Sequence, residues 1–576
     1  MKLKNIIFGC VALSLGLSSC GDMDYHEYKV DGEGYIKENF ENVNGLMTTI
    51  YRDLDSDWGN YSGAMLASAT DEAVYSHQGN SVESFFNGNW GPANANSSVW
   101  DKCWHGISYC NLFLDKFTNL TFDDYKLDIN YEAKMEKYNN FQYEARFMRA
   151  YFYFQLVRQY GGVPLIVNYV DAETANNTPR STAEEIFKFI DDECAAIKDL
   201  IIKDYSKAYT ELGLVENGRA NDLTVMALRA RAALYHASPL FNPENNKELW
   251  KEAALRAQEC INACNQRNMK LVNNYADLFA TDSYSKCTSE ILFATRTPAS
   301  NSFEKNNFPI GMENAGGGNC PTQNLVDAYE TKNGLSIDKD PLYDPKNPYA
   351  NRDPRLAATI AVNGERWPDG LATDSKAVLE TYYGGRNSRS VVYGTPTGYY
   401  LKKYLQKTQV IGASNATTSY HTWILFRLGG IYLDYAEAVL NYFKDGYMKD
   451  EGLQMTAADA INKVRSRASV KMPLLTTDSK LNFEEFTERY ENERFVELAF
   501  EGHRFFDVRR WKKGAKYFKD IKVMEITKNA DESLTYKVVT NPSYITARNW
   551  EDKFNLFPLP QSEILKSGAL TQTPGW

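Results

Sequence analysis

Histidine is scarce in this chain, with six residues in 576, and none falls in a Cys–His spacing or a Ser–His–Asp order that would mark a zinc site or a hydrolytic triad. Basic runs are missing too. The formal charge is -10, and a duplex-binding protein needs clustered Lys and Arg to displace counterions, so no nucleic-acid partner is expected. No apolar stretch reaches the roughly 20 residues of a membrane-spanning helix. Cys10 and Cys20 aside, the cysteines are Cys103, Cys110, Cys194, Cys260, Cys264, Cys287 and Cys320, an odd and scattered set that makes no disulfide framework. Cys260 and Cys264 share a helix face without a nearby His, which predicts buried thiols rather than a metal pair. A calcium ion among the acidic loops has no EF-hand spacing to support it, and no cofactor is expected.

What is present begins at the N-terminus. Lys2 and Lys4 precede an apolar run from Ile6 to Leu17, a charged segment followed by a core of signal-peptide length. It ends Leu17-Ser18-Ser19-Cys20, which resembles a bacterial lipobox. Residues 1–19 are therefore read as a signal peptide and Cys20 as the lipidated new N-terminus. Acyl chains there would anchor the protein at about 0.8 kcal/mol per buried methylene. Asp22, Asp24 and Glu27 make an acidic tether, and export to the cell surface is expected.

The body reads as helix. Ala145, Met148, Phe152 and Leu156 recur at three- and four-residue steps. Ser181 to Glu184 reads as a capping box opening a helix through Ile186, Phe187 and Ile190. Leu223–Ala237 is stopped by Pro239, and Trp250–Cys264 and Tyr432–Tyr442 are amphipathic. Thr456 caps one further helix, and Asn482 with Glu485 opens another running to about Phe500. The predicted class is all-α dominated: tetratricopeptide-like helix pairs stacked as a superhelix, without a clean 34-residue repeat, with a loop-rich face and a few short strands such as Glu290 to Thr295. Long irregular stretches at 76–99, 297–322 and 340–398 carry Gly, Asn, Pro and aromatics, so they read as functional loops. Residues 20–240 are expected to form an N-terminal helical region. Residues 241–576 are expected to carry the binding loops, packed with the first region as one body.

Several segments resemble the SusD/RagB family of nutrient-binding outer-membrane lipoproteins. They are Glu144 to Tyr151 continuing through Tyr160-Gly161-Gly162-Val163-Pro164; Ala232 to Asn242; Pro321-Thr322-Gln323 with Val326 to Tyr329; Asn351 to Leu356; Glu491 to Arg494 leading to Glu501-Gly502-His503-Arg504 and Asp507 to Trp511; and Phe557-Pro558-Leu559-Pro560. Gly429-Gly430 departs from the Ala-Glu pair usual in the family and makes the start of its helix the uncertain element. The resemblance implies a helical-repeat fold and a partner, a TonB-dependent outer-membrane transporter of the SusC type. It also implies capture of oligosaccharides, or of peptides in some members, without catalysis.

Sugar rings need flat aromatic faces, and their hydroxyls need fixed amides. Phe85-Phe86-Asn87-Gly88-Asn89-Trp90 with Asn94 and Asn96 supplies both, and Trp90 could equally pin its loop to the helix carrying Trp100 and Trp104. Trp367 tips a Pro-Asp-Gly turn, Tyr284 and Arg296 flank the 297–322 loop, and Tyr383 sits beside Gly384. The candidate ligand-binding set is therefore Phe86, Asn89, Trp90, Asn94, Tyr284, Arg296, Trp367 and Tyr383. Tyr382-Tyr383 and Tyr399-Tyr400 are open between platform and strand. The row Glu493, Glu497 and Glu501 could suggest a glycosidase, but with Arg494, Arg504, Arg509 and Arg510 nearby it reads better as an ion-pair network. The leading expectation is a surface glycan-binding lipoprotein. The runner-up is a peptide-binding one, followed by a secreted glycosidase and a structural repeat adaptor.

Overall fold

A computed structural model describes residues 32–205, 218–367, 378–412 and 415–576. The signal segment with Cys20 and the turn residues 368–370 lie outside them. The principal helices are α1 Phe40–Arg52, α2 Ser98–Lys116, α3 Tyr131–Tyr160, α4 Ala183–Ile197, α5 Asp222–Ala237, α6 Lys247–Gln266, α7 Leu428–Phe443, α8 Ala457–Arg465, α9 Phe483–Glu497 and α10 Arg504–Arg510. From α2 to α8 each packs against the next, which is the stacked helix-pair layer the sequence predicts. Close approach is built in: a Cβ on Gly106 of α2 would lie 2.3 Å from the Phe152 ring of α3. The second half of α3 is buried almost all round, as expected of a central helix.

Local chemistry sets the helix ends. The reciprocal capping box is Thr182 with Glu185, one residue later than read from the sequence. Thr456 with Asp459 and Asn482 with Glu485 cap as expected. α9 stops at Glu497, short of Phe500, whose backbone is left-handed at φ 60°. α7 begins at Leu428, not Tyr432, and carries Gly429-Gly430 in its first turn.

Among the described residues eight short strands pair as four antiparallel ladders. These are β1 Ala73–Tyr75 with β3 Asn319–Pro321, β2 Ile291–Ser300 with β6 Ser419–Arg427, β4 Ile360–Ala361 with β5 Tyr400–Leu401, and β7 Lys522–Lys528 with β8 Leu534–Thr540. The stretch Glu290–Thr295 is thus not an isolated strand: Ile291 onward pairs with a segment more than a hundred residues away. The seven described cysteines are buried and free.

Two apolar cores result, one inside the helix layer and one beneath the loops, and α9 feeds both: Phe486 and Tyr490 enter the first, Phe495 and Val496 the second. Its acidic side chains organise a buried ion network. Glu497 accepts from Arg355 at 2.8 Å, Arg427 at 2.8 Å and Arg467 at 3.1 Å. Glu493 accepts from Arg355 and Arg465, and Glu501 from Arg427 and Lys403. Glu290, at the foot of β2, binds Arg427 and Arg467. A second cluster joins Asp434 and Glu437 of α7 to Arg231 of α5, Arg494 of α9 and Asp507 with Arg510 of α10. The network explains the glycine pair, since a Cβ at Gly429 would lie 2.5 Å from an Arg427 nitrogen and 3.0 Å from a Glu290 oxygen. Burial alone would raise the Glu497 pKa, but Arg427, Arg467 and Arg355 overcome it and hold the carboxyl down at about 2.

Removing one partner of a buried pair leaves an uncompensated charge, so Glu497→Gln is expected to cost about 3–5 kcal/mol in denaturant unfolding. The network also sets an acid limit. A carboxyl held at about 2 when folded, against 4.5 ordinarily, contributes stability that is complete above pH 4.5 and is lost as pH falls through 2. Unfolding free energy measured from pH 5 to pH 2 should fall, and fall less steeply in Glu497→Gln.

Candidate functional site

The aromatic groups of the candidate surface come from three segments: the loop between β4 and β5, the stretch just after β1 and the segment at Tyr544. Tyr383 is 64% exposed and Tyr393 is 52% exposed, both on the loop between β4 and β5. Tyr383 is fixed through its backbone, its N–H donating to Ile526 O of β7 at 2.8 Å. The Arg389 guanidinium lies 5.0 Å from the Tyr383 ring centre and 4.3 Å from that of Tyr544, within cation–π range. Both Arg389 and the Tyr544 hydroxyl donate to Glu525 of β7, at 3.3 and 3.1 Å. Burial, followed by the Glu525 charge, pushes the Tyr544 phenol up to about 12, so it remains a donor at any physiological pH.

Tyr393 stacks on His77, just after β1, with ring centres 3.8 Å apart and planes 7° from parallel. The His77 ring is held from behind by Gly316 O at 2.7 Å. Tyr393 has φ 62°, a conformation rare for a bulky residue and held only where the surroundings impose it. Gly317 is required next to it: with φ +79°, any Cβ there would lie 2.3 Å from Tyr393 O. Two braced rings and a guanidinium are thus presented to solvent.

The structure scatters the other residues singled out from sequence. Trp90 is buried, not an exposed platform. Its indole donates to Ala95 O at 3.4 Å and is boxed in by Phe85, Phe557 and Trp576. The partner it pins is therefore the C-terminal segment, not Trp100 and Trp104. Phe86 is buried as well, beneath the Arg548 guanidinium. Asn89 and Asn94 are exposed, but the Asn94 amide is spent on Asn89 O at 3.1 Å. Trp367 is buried against Phe308, with Lys407 over its ring, so it is no exposed turn tip. Arg296 is exposed midway along the β2–β6 ladder, stacked 3.8 Å over Tyr420, and Tyr284 is half-buried close by. Tyr399 and Tyr400 are buried. Of the named set, Tyr383 is the one that meets Arg389. Tyr393, Arg389, His77 and Tyr544 were missed; Tyr393-Gly394 repeats the Tyr-Gly pattern of Tyr383-Gly384 and could have found one of them.

Glu493, Glu497 and Glu501 are each engaged in buried ion pairs, as the ion-network reading expects. Among the described residues no three His, Cys, Asp or Glu converge as a metal-ligand set, and no helix is long and apolar enough to cross a membrane.

Comparison with known proteins agrees with this architecture. A SusD-like protein of Bacteroides ovatus is 25% identical over 462 residues, covering 75% of this chain and 73% of that protein. A solved SusD-like protein from Bacteroides fragilis superposes with a TM-score of 0.73 at 23% identity, covering 94% of this chain and 98% of that one. A SusD-like carbohydrate-binding protein from the same species gives 0.70 at 23%, over 93% and 100%. A laminarin-binding SusD-like protein gives 0.60 at 19%, over 94% and 100%. Residues 30–215 match a family described as starch-binding and associating with the outer membrane, and residues 289–576 match the SusD family itself. The stacked helices, the loop-built face and this match over half the chain lead to one conclusion: the chain belongs to the SusD family.

Proposed function

We propose that the protein is a surface-displayed lipoprotein that captures oligosaccharides on the Tyr383–Arg389–Tyr393 face and delivers them, chemically unchanged, to a TonB-dependent transporter of the SusC type. The observation that carries this reading is the pair of outward-facing tyrosine rings, one braced by Arg389 and the other stacked on His77. Rigid aromatics with two side-chain torsions lose little entropy when a ligand stacks on them, so they suit recognition. The printed descriptions of two similar structures, carbohydrate-binding and laminarin-binding, point the same way, as does the outer-membrane description of the matched family. Catalysis has no support on this face. Glu525, the carboxylate that Arg389 and Tyr544 share on this face, is spent on those two groups. The proposed recognition uses no metal or other cofactor. Acylation of Cys20 would hold the protein at the membrane.

Titration calorimetry with β-glucan and α-glucan oligosaccharides tests the site. Tyr383→Ala and Tyr393→Ala should each weaken binding about tenfold or more, as hot-spot aromatics do. Tyr383→Ala should leave stability within about 0.5 kcal/mol, whereas Trp90→Ala should cost about 3–5 kcal/mol because it empties a core site. Binding of peptides alone, or release of shorter sugars, would overturn the reading. Cell fractionation tests the anchor: the native chain should pellet with outer membranes and Cys20→Ser should not.

A further inference from the structure

A cavity of about 390 Å³ lies beside the tyrosine face, between Gln78 and the turn 542–547, and its size is within the roughly 300–1,000 Å³ of small-molecule pockets. Tyr544 belongs to both places: its ring centre is 4.3 Å from the Arg389 guanidinium, and it lines the cavity. Gln78 joins them from the other side. It follows His77, on which Tyr393 stacks, and its amide donates to Tyr544 O.

The walls are already in place. Glu83 clamps one to the other, accepting from Gly79 N–H at 3.1 Å and from the Thr546 hydroxyl at 3.0 Å. Asn541 anchors the root of the turn. Its N–H donates to Ile521 O at 2.7 Å, its side-chain oxygen accepts from Ile521 N–H at 2.8 Å, and its amide donates to Asp520 at 2.9 Å. Ile545 N–H closes the turn on Pro542 O at 2.9 Å. A ligand entering this space pays little to order it.

The lining selects by charge. Among the described residues that border the cavity there is no Asp, Glu, Lys, Arg or His. A charged group entering it would lose water without gaining a counter-ion. Asp520 and Glu83, which brace the walls, would repel an anion. Pro542, Ile545 and Tyr544 supply apolar surface, and among the described residues the exposed Ser543 hydroxyl has no hydrogen-bond partner. Apolar walls with a free hydroxyl and no charge suit a neutral sugar. We infer that this cavity is a second subsite, filled by one part of an uncharged oligosaccharide while another of its sugars stacks on the Tyr383–Arg389–Tyr393 face. The inference rests on the proposed function for its ligand class, and it adds the ligand's extent and charge.

Titration calorimetry on the full chain, with β-glucan and α-glucan oligosaccharides from disaccharide to octasaccharide, reads the subsite as a dependence on length. In the series that binds, affinity should rise about tenfold or more from the shortest binding member to the longest, as linked contacts do. Ser543→Trp and Ala547→Trp, which fill the cavity from exposed positions of the turn, should each abolish that gain and leave the affinity of the shortest member unchanged. Binding of the short member also shows that the variants fold. Oligogalacturonides of matched length should show no such gain. A flat length dependence, an undiminished gain in both variants, loss of the short member by both, or an equal gain with oligogalacturonides would overturn the subsite while leaving the tyrosine face intact. Failure of every oligosaccharide to bind the native chain would overturn the proposed function and the subsite together.

Discussion

Charge balance inside the protein is the constraint on which the rest of the architecture depends. Glu290, Glu493, Glu497 and Glu501 are buried with Arg355, Lys403, Arg427, Arg465 and Arg467. Each such group would cost several kcal/mol to desolvate alone, so each is tolerable only when its partners are in place. Those partners come from the start of β2, the end of β6, α8, α9 and the short helix Pro354–Thr359, together with the segment at Lys403, so the network forms only in the assembled fold. It therefore specifies one arrangement more sharply than apolar packing would. Lys403 shows the tension: burial drives its pKa down to about 8, and Glu501 only partly offsets this.

The network ties the helix layer to the loop side. β1, which leads to His77, is joined to the same body through Asp71 and Arg504, an ion pair buried at 2.7 Å. The C-terminal segment closes the structure through Trp90 and Arg548, whose guanidinium donates to Ser68 O at 3.0 Å and Ala73 O at 2.9 Å. The loop that carries Tyr383 and Tyr393 is held by the pairing of β4 with β5 and by the Tyr383 N–H on Ile526 O of β7. Rings held this way can bind a flexible oligosaccharide without themselves losing much freedom.

Helices and their caps were legible in the sequence because the information is local. A Thr or Asn with an acidic residue three positions on satisfies two helix-end N–H groups wherever the helix sits. The buried charge row was legible too, since alternating Glu and Arg at helical spacing leaves few other ways to satisfy charges. The proposed ligand face was mostly not legible. Trp90 lies in a Gly- and Asn-rich loop, the context of an exposed platform, yet its partners Phe557 and Trp576 lie more than 460 residues away. Trp367 was misread for the same reason. Gly429-Gly430 read as a weakness in its helix, but it is the room the ion network needs. A few short strands were legible, but their pairing was not, because β2 finds β6 across more than a hundred residues.

The central claim is that a clamped aromatic face holds an oligosaccharide intact. A crystal structure of the protein grown with a bound glucan oligosaccharide tests it most directly. The account predicts an unbroken chain with a sugar ring stacked on Tyr383 or Tyr393 and a hydroxyl within hydrogen-bond distance of Arg389. A sugar seated elsewhere with this face bare, or a cleaved product, would contradict it.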